Sequence, residues 1–84
     1  MTDRTQMTAR VREIVGQVLD LPVAQVADEL SAGSSSAWTS LNHLMLVSQL
    51  ENEFGVVFTN QEVRALSSVR AILETLGRRL DSVA

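Results

Sequence analysis

Apolar residues recur at helical intervals in four stretches of the chain. Val11, Ile14, Val15, Val18 and Leu19 fall at i, i+3, i+4, i+7 and i+8, with Arg10, Arg12, Glu13 and Gln17 on the other face. Thr8 is placed to cap this helix, which leaves residues 1–7 as a flexible N-terminus, and Pro22 ends it or closely follows its end. Leu41, Leu44, Val47, Leu50 and Phe54 predict the buried face of a second helix, starting at Ser40 or Leu41 and stopped by Gly55. After Val56-Val57-Phe58, the run Thr59-Asn60-Gln61-Glu62 is a capping-box pattern for a short third helix with Val63 and Leu66. Ser67 is placed to cap a fourth, whose core stripe is Val69, Ile72, Leu73, Leu76 and Leu80. Strand-like alternation and internal repeats are absent. The expected fold is all-α: a four-helix bundle of three main helices and one short one.

Residues 20–39 form a long connection between the first two helices. Val23, Val26 and Leu30 are candidate anchors to the core through a short helical turn, and Gly33-Ser34-Ser35-Ser36 is its most flexible part. A connection of this length in so small a domain is commonly functional.

Eighty-four residues make one domain, spanning 1–84. A chain of this size buries roughly 60–65% of the surface its unfolded form exposes, which leaves little room for a deep cavity with a catalytic shell. The sequence contains no cysteine, which excludes disulfides, thiolate zinc sites and thiol nucleophiles. The first residues lack the basic start and apolar run of a signal peptide, and no stretch approaches the roughly 20 apolar residues of a membrane span. A cytoplasmic protein that does not insert into membranes is expected. Seven arginines face ten acids, for a net charge of −3, and there is no lysine. That balance argues against nucleic acid as a partner and disfavours a DNA-binding helix-turn-helix, which needs a clustered basic helix face.

The inventory for chemistry is thin. A Ser-His-Asp arrangement would have to use His43, three residues after Ser40, with no acid nearby on that helix to orient the ring. For metals, Glu51 and Glu53 diverge on a helix and Asp28-Glu29 are adjacent in a loop; the four glycines are scattered and form no phosphate loop. No catalytic function and no metal are expected. The junction Trp38-Thr39-Ser40-Leu41-Asn42-His43-Leu44 stands apart. A serine opening a helix after a long loop has an exposed hydroxyl beside unpaired backbone N–H groups, where the helix dipole favours a phosphate.

Trp38-Thr39-Ser40-Leu41, followed in register by Leu50-Glu51-Asn52-Glu53-Phe54-Gly55, resembles the acyl carrier protein family. Members carry Asp-Ser-Leu at the start of the second helix and Leu-Glu-x-x-Phe-Gly at its end. Phe58, Glu62 and Ser67-Ser68-Val69 extend the likeness, which covers about Val11 to Leu80. The tryptophan ahead of the site is similar to that of bacterial carriers outside general fatty-acid synthesis. The resemblance implies an acyl-carrier-type bundle in which Ser40 bears a covalent 4′-phosphopantetheine arm holding acyl or related intermediates as thioesters. It implies as partners a phosphopantetheinyl transferase, an acyl- or aminoacyl-loading ligase and downstream enzymes of lipid or secondary-metabolite biosynthesis, with the carrier a monomer. An aminoacyl or peptidyl carrier of the same fold, and an unmodified interaction module, are the alternatives.

The chain departs from the family in two places. Thr39 stands where the family has the acid that contacts the transferase, though it keeps an N-cap hydroxyl. The outer face of the second helix carries Asn42, His43, Met45, Leu46, Ser48 and Gln49, with only Glu51 and Glu53 charged, so docking leans on apolar contacts. Thr39, Leu41, Met45 and Leu46 are the candidate partner contacts, one of Met45 and Leu46 being shared with the core edge. Trp38 is read as packing the connection onto the core and His43 as a solvated surface residue. Arg78-Arg79 are read as complementing the last helix's negative end.

Overall fold

The computed structural model describes residues 4–81. Four helices follow one another: α1 Arg4–Leu19, α2 Ser40–Phe54, α3 Asn60–Ala65 and α4 Val69–Asp81. A 3-10 turn, Val23–Gln25, interrupts the connection between α1 and α2. α1 packs against α2, α4 and this turn. Among the described residues there is no strand, and Ser31 and Ser68 form an isolated antiparallel bridge.

The core draws on every segment. Val11, Ile14, Val15 and Leu19 of α1 meet Leu46, Val47 and Leu50 of α2 and Val69, Ile72 and Leu76 of α4. Val26 and Trp38 reach in from the connection, and Val56, Phe58 and Leu66 from the segments flanking α3. Burying each such aliphatic side chain contributes about 1.5–3 kcal/mol, which is why the apolar stripes of α1 and α4 govern how those helices sit.

The helix ends show how the chain turns. α1 begins at Arg4, upstream of the expected Thr8 cap, because Met7 extends the stripe by one turn and is itself buried. The flexible start expected over residues 1–7 is thus helical from Arg4; residues 1–3 lie outside the described residues. α1 closes on Asp20, held at φ 57°, while the Leu21 N–H donates to the Gly16 carbonyl at 2.8 Å. A Cβ on Gly16 would stand 2.8 Å from the Leu21 carbonyl oxygen, so only glycine fits this closure. α2 ends in the same way on Gly55, at φ 66°. The capping box of α3 is present, with Thr59 and Glu62 exchanging side-chain-to-backbone bonds. α4 is capped by Ser68 and not by Ser67: the Ala71 N–H donates to Ser68 Oγ at 3.0 Å.

The long connection is fastened along its length. Arg12 donates to the Val26 carbonyl and to Asp28 Oδ1, both at 2.7 Å. The first N–H groups of α4, which have no partner inside the helix, donate outward: Val69 to the Leu30 carbonyl and Arg70 to the Asp28 carbonyl. Ala32 N–H donates to the Ser67 carbonyl at 2.9 Å. In the serine run, expected to be the most flexible part, Ser31 and Ser34 exchange backbone-to-hydroxyl bonds and form a turn.

α2 meets the core in a different phase from the one its spacing predicts. Leu41 and Leu44, expected inside, are 68% and 60% exposed, whereas Leu46 is 1% exposed. The inward stripe is His43, Leu46, Val47, Leu50 and the half-buried Phe54. Both stripes share Val47, Leu50 and Phe54, so the competition is decided in the first two turns. There a polar residue, His43, takes the inner position because its ring is fully hydrogen-bonded.

Candidate functional site

Ser40 is the first residue of α2 and exposed. Thr39 sets the helix start: its Oγ1 accepts from the Asn42 N–H at 3.1 Å and its carbonyl from the His43 N–H at 2.8 Å. The Asn42 side chain donates to the Ala37 carbonyl at 2.7 Å, fixing the approach to the helix. The N–H groups of Ser40 and Leu41 have no intrahelical acceptor. No hydrogen bond engages the Ser40 hydroxyl among the described residues, so this oxygen is free to react.

Beside it runs an open groove of ≈ 390 Å³, lined among others by Trp38, Ser40, His43, Leu44 and Arg64. Its wall is a relay that the sequence reading missed. Trp38 Nε1–H donates to His43 Nδ1 at 3.0 Å, and His43 Nε2 lies 2.7 Å from the Val63 carbonyl oxygen. An indole only donates and a carbonyl only accepts, so the pair of contacts defines the Nε2–H tautomer. The Val63 carbonyl belongs to the last turn of α3, where its other contact is a long one from the Leu66 N–H at 3.4 Å. His43 thereby ties α3 and the connection to the second helix, and it is half-buried rather than solvated. The polar spacing from Trp38 to His43 holds no signal of this, since Val63 comes from a different helix.

Of the expected contact residues, Thr39, Leu41 and Met45 are exposed, and Leu44 joins them. Leu46 does not: it is in the core, which removes it from any docking surface. The physical reason is the rotation of α2 described above. The acids of α2 also turn out to be engaged. Glu51 Oε2 accepts from the Phe58 N–H at 2.9 Å, and Glu53 pairs with Arg10 at 3.1 Å. Among the described residues no group of three or more His, Cys, Asp or Glu is placed to hold a metal. The exposed apolar face of α2 is thus nearly free of charge.

α3 is anchored from its far side. Glu62 Oε1 accepts from the Thr59 N–H at 2.9 Å and from Arg79 Nη1 at 2.6 Å. The Thr59 N–H, and after it the Arg79 guanidinium, hold the Glu62 carboxyl below its ordinary pKa against the opposing effect of burial. Arg79 also donates to the Val57 carbonyl at 2.9 Å. It is a clamp between α4 and α3, and not only a complement to the helix end.

No helix of the described residues is long and apolar enough to cross a membrane. No protein-family model matches the chain. It is 34% identical over 71 residues to the polyketide-8 synthase acyl carrier protein 2 of Streptomyces avermitilis, covering 84% of this chain and 82% of that protein. An acyl carrier protein of Saccharopolyspora erythraea is 25% identical over 72 residues, 86% of this chain and 76% of the relative. The solution structure of a holo acyl carrier protein from Geobacter metallireducens superposes with a TM-score of 0.73 at 26% identity, covering 92% and 93% of the two chains.

Proposed function

The chain belongs to the acyl carrier protein family and is an acyl carrier, and from that premise we propose that Ser40 is the residue bearing its 4′-phosphopantetheine arm. The observation that carries this is the unbonded, exposed Ser40 hydroxyl on the first residue of a 15-residue helix, in register with Phe54-Gly55 at the other end. The donor set fits a phosphodiester. Ser40 supplies the oxygen, the helix start supplies unpaired N–H groups and the positive end of the dipole, and no carboxylate lines the groove. When bound, the arm supplies the thiol, absent from this cysteine-free chain, on which an acyl cargo is held as a thioester. The protein's own part is to hold Ser40 at a rigid corner, with Thr39 capping and Asn42 bracing the approach.

Its partners are a phosphopantetheinyl transferase, a loading ligase and the enzymes of a polyketide-type pathway, met by a monomer in the cytoplasm. Leu41, Leu44 and Met45 offer them an apolar face, consistent with the depletion of charge at the centre of protein interfaces. Intact-mass measurement after incubation with coenzyme A and a broad-specificity transferase tests the assignment. The expected result is a gain of one phosphopantetheinyl group, abolished by Ser40→Ala. A gain that survives Ser40→Ala places the arm elsewhere, and no gain on the parent protein leaves an unmodified interaction module.

A further inference from the structure

The arginines are not equivalent. Five of them are held by carboxylates: Arg4 by Asp81, Arg10 by Glu53, Arg12 by Asp28, Arg70 by Glu29 and Arg79 by Glu62. Among the described residues neither Arg64 nor Arg78 has such a partner, and of these two only Arg64 lines the groove beside Ser40. The one acid of its own helix, Glu62, is committed to Thr59 and Arg79. Arg64 lines the groove that Ser40 also lines, and no acid is among the groove's residues. The other titratable group there, His43, turns both ring nitrogens away to Trp38 and Val63. A chain of net charge −3 thus keeps an uncompensated cation beside its reactive serine.

Building on Ser40 as the attachment residue, we infer that Arg64 is the counter-ion of the phosphodiester joining the arm to Ser40, laying the arm's first segment along the groove toward α3. A guanidinium presents a planar fork of N–H donors that matches phosphate oxygens, and it stays charged at every working pH. The phosphodiester would be covalently fixed at the groove's edge, so meeting Arg64 requires no long-range search. A carboxylate on the cargo is the other anion the groove's charge would suit. It is disfavoured because the cargo is attached at the far end of the arm, whereas Ser40 is itself part of the groove.

The test compares parent, Arg64→Gln and Arg64→Lys proteins, each converted to the holo form and checked by intact mass. Arg64 is exposed and has no partner among the described residues, so the variants keep the parent's melting temperature, which shows that they fold. The readouts are the phosphorus resonance of the phosphodiester and the Trp38 indole N–H cross-peak, at low and high salt. The expected result is a phosphorus shift in the parent that moves with salt, is absent in Arg64→Gln and is partly kept in Arg64→Lys. The indole peak, displaced on arm attachment in the parent, reports a docked-to-free ratio falling about two- to fivefold in Arg64→Gln, as exposed ion pairs support. Identical phosphorus shifts in parent and Arg64→Gln at low salt, with the mass gain present, overturn the inference and leave Ser40 assigned. A parent that gains no mass overturns both. Acetyl- and malonyl-loaded forms separate the anions: dependence on Arg64 in both supports the phosphodiester, and dependence confined to the malonyl form overturns it in favour of a cargo carboxylate.

Discussion

The indole N–H of Trp38 donates to His43 Nδ1 across 3.0 Å, which joins the long connection to the inner face of α2 one turn beyond Ser40. His43 passes the restraint on to α3 through the Val63 carbonyl. Three segments that meet beside Ser40 are therefore fastened by one imidazole.

His43→Ala leaves the buried Trp38 indole donor without its partner and the Val63 carbonyl with only the 3.4 Å contact from the Leu66 N–H. A stranded buried donor costs about 1–3 kcal/mol, so a loss of about 1–2 kcal/mol is expected after partial access to water. Leu44→Ala, on the exposed side, is expected to lose under about 0.5 kcal/mol. Leu50→Ala, in the core, is expected to lose about 2–4 kcal/mol. Denaturant melts of the three variants check the order; a larger loss at Leu44 than at His43 would contradict the phase of α2.

Thr39→Asp restores the acid found before the serine in the family while keeping an N-cap oxygen for the Asn42 N–H. The added charge lies at the positive end of α2, so stability is expected to rise by about 0.3–1 kcal/mol at low salt. Arm installation by a broad-specificity transferase is expected to accelerate as well, with a gain that fades as salt is raised. Rates of mass gain and thermal melts, measured on the same samples, separate the two effects.

Glu62 is held below its ordinary pKa by the Thr59 N–H and then by Arg79. Its ionised form is favoured by folding, so its contribution is complete above the unfolded-state pKa and is lost as pH falls through the folded-state value. Glu62→Gln is therefore expected to destabilise the protein at neutral pH, by an amount that shrinks toward zero as the solution becomes acidic. Urea midpoints across that range give the measurement, and a pH-independent difference would remove the carboxylate from the account.

Asp20 holds φ 57°, a conformation that glycine adopts without the steric opposition of a Cβ. Asp20→Gly is expected to raise the stability of the folded chain by up to about 1 kcal/mol, reduced by the greater freedom glycine has when unfolded. Gly55→Ala, at φ 66°, is expected to lose about 1 kcal/mol for the converse reason. Thermal melts of the two variants should move in opposite directions.

The apolar period of α1 and α4 was sufficient to place those helices, because each carries a single stripe with polar residues opposite. The capping box at Thr59 and the stop at Gly55 were equally legible, being local patterns of chain chemistry. The phase of α2 was not. Its first two turns carry leucine on several sides, and the decision rests on His43 finding partners in Trp38 and Val63, two residues that sequence distance separates by 25 positions. Ser40 could be singled out from its place at the helix start and its register with Phe54-Gly55. The groove beside it could not, because Arg64 comes from a helix whose docking depends on the Glu62–Arg79 clamp.

Trp38 is the one tryptophan of a chain without tyrosine, and it forms the groove's wall within one helical turn of Ser40. The intrinsic ultraviolet emission of the protein therefore arises almost entirely from a single indole whose N–H is held by an imidazole. Anything that enters the groove or loosens that imidazole changes the environment of this one fluorophore. Occupancy of the groove can accordingly be followed in the isolated, unlabelled protein from the colour and yield of its own emission.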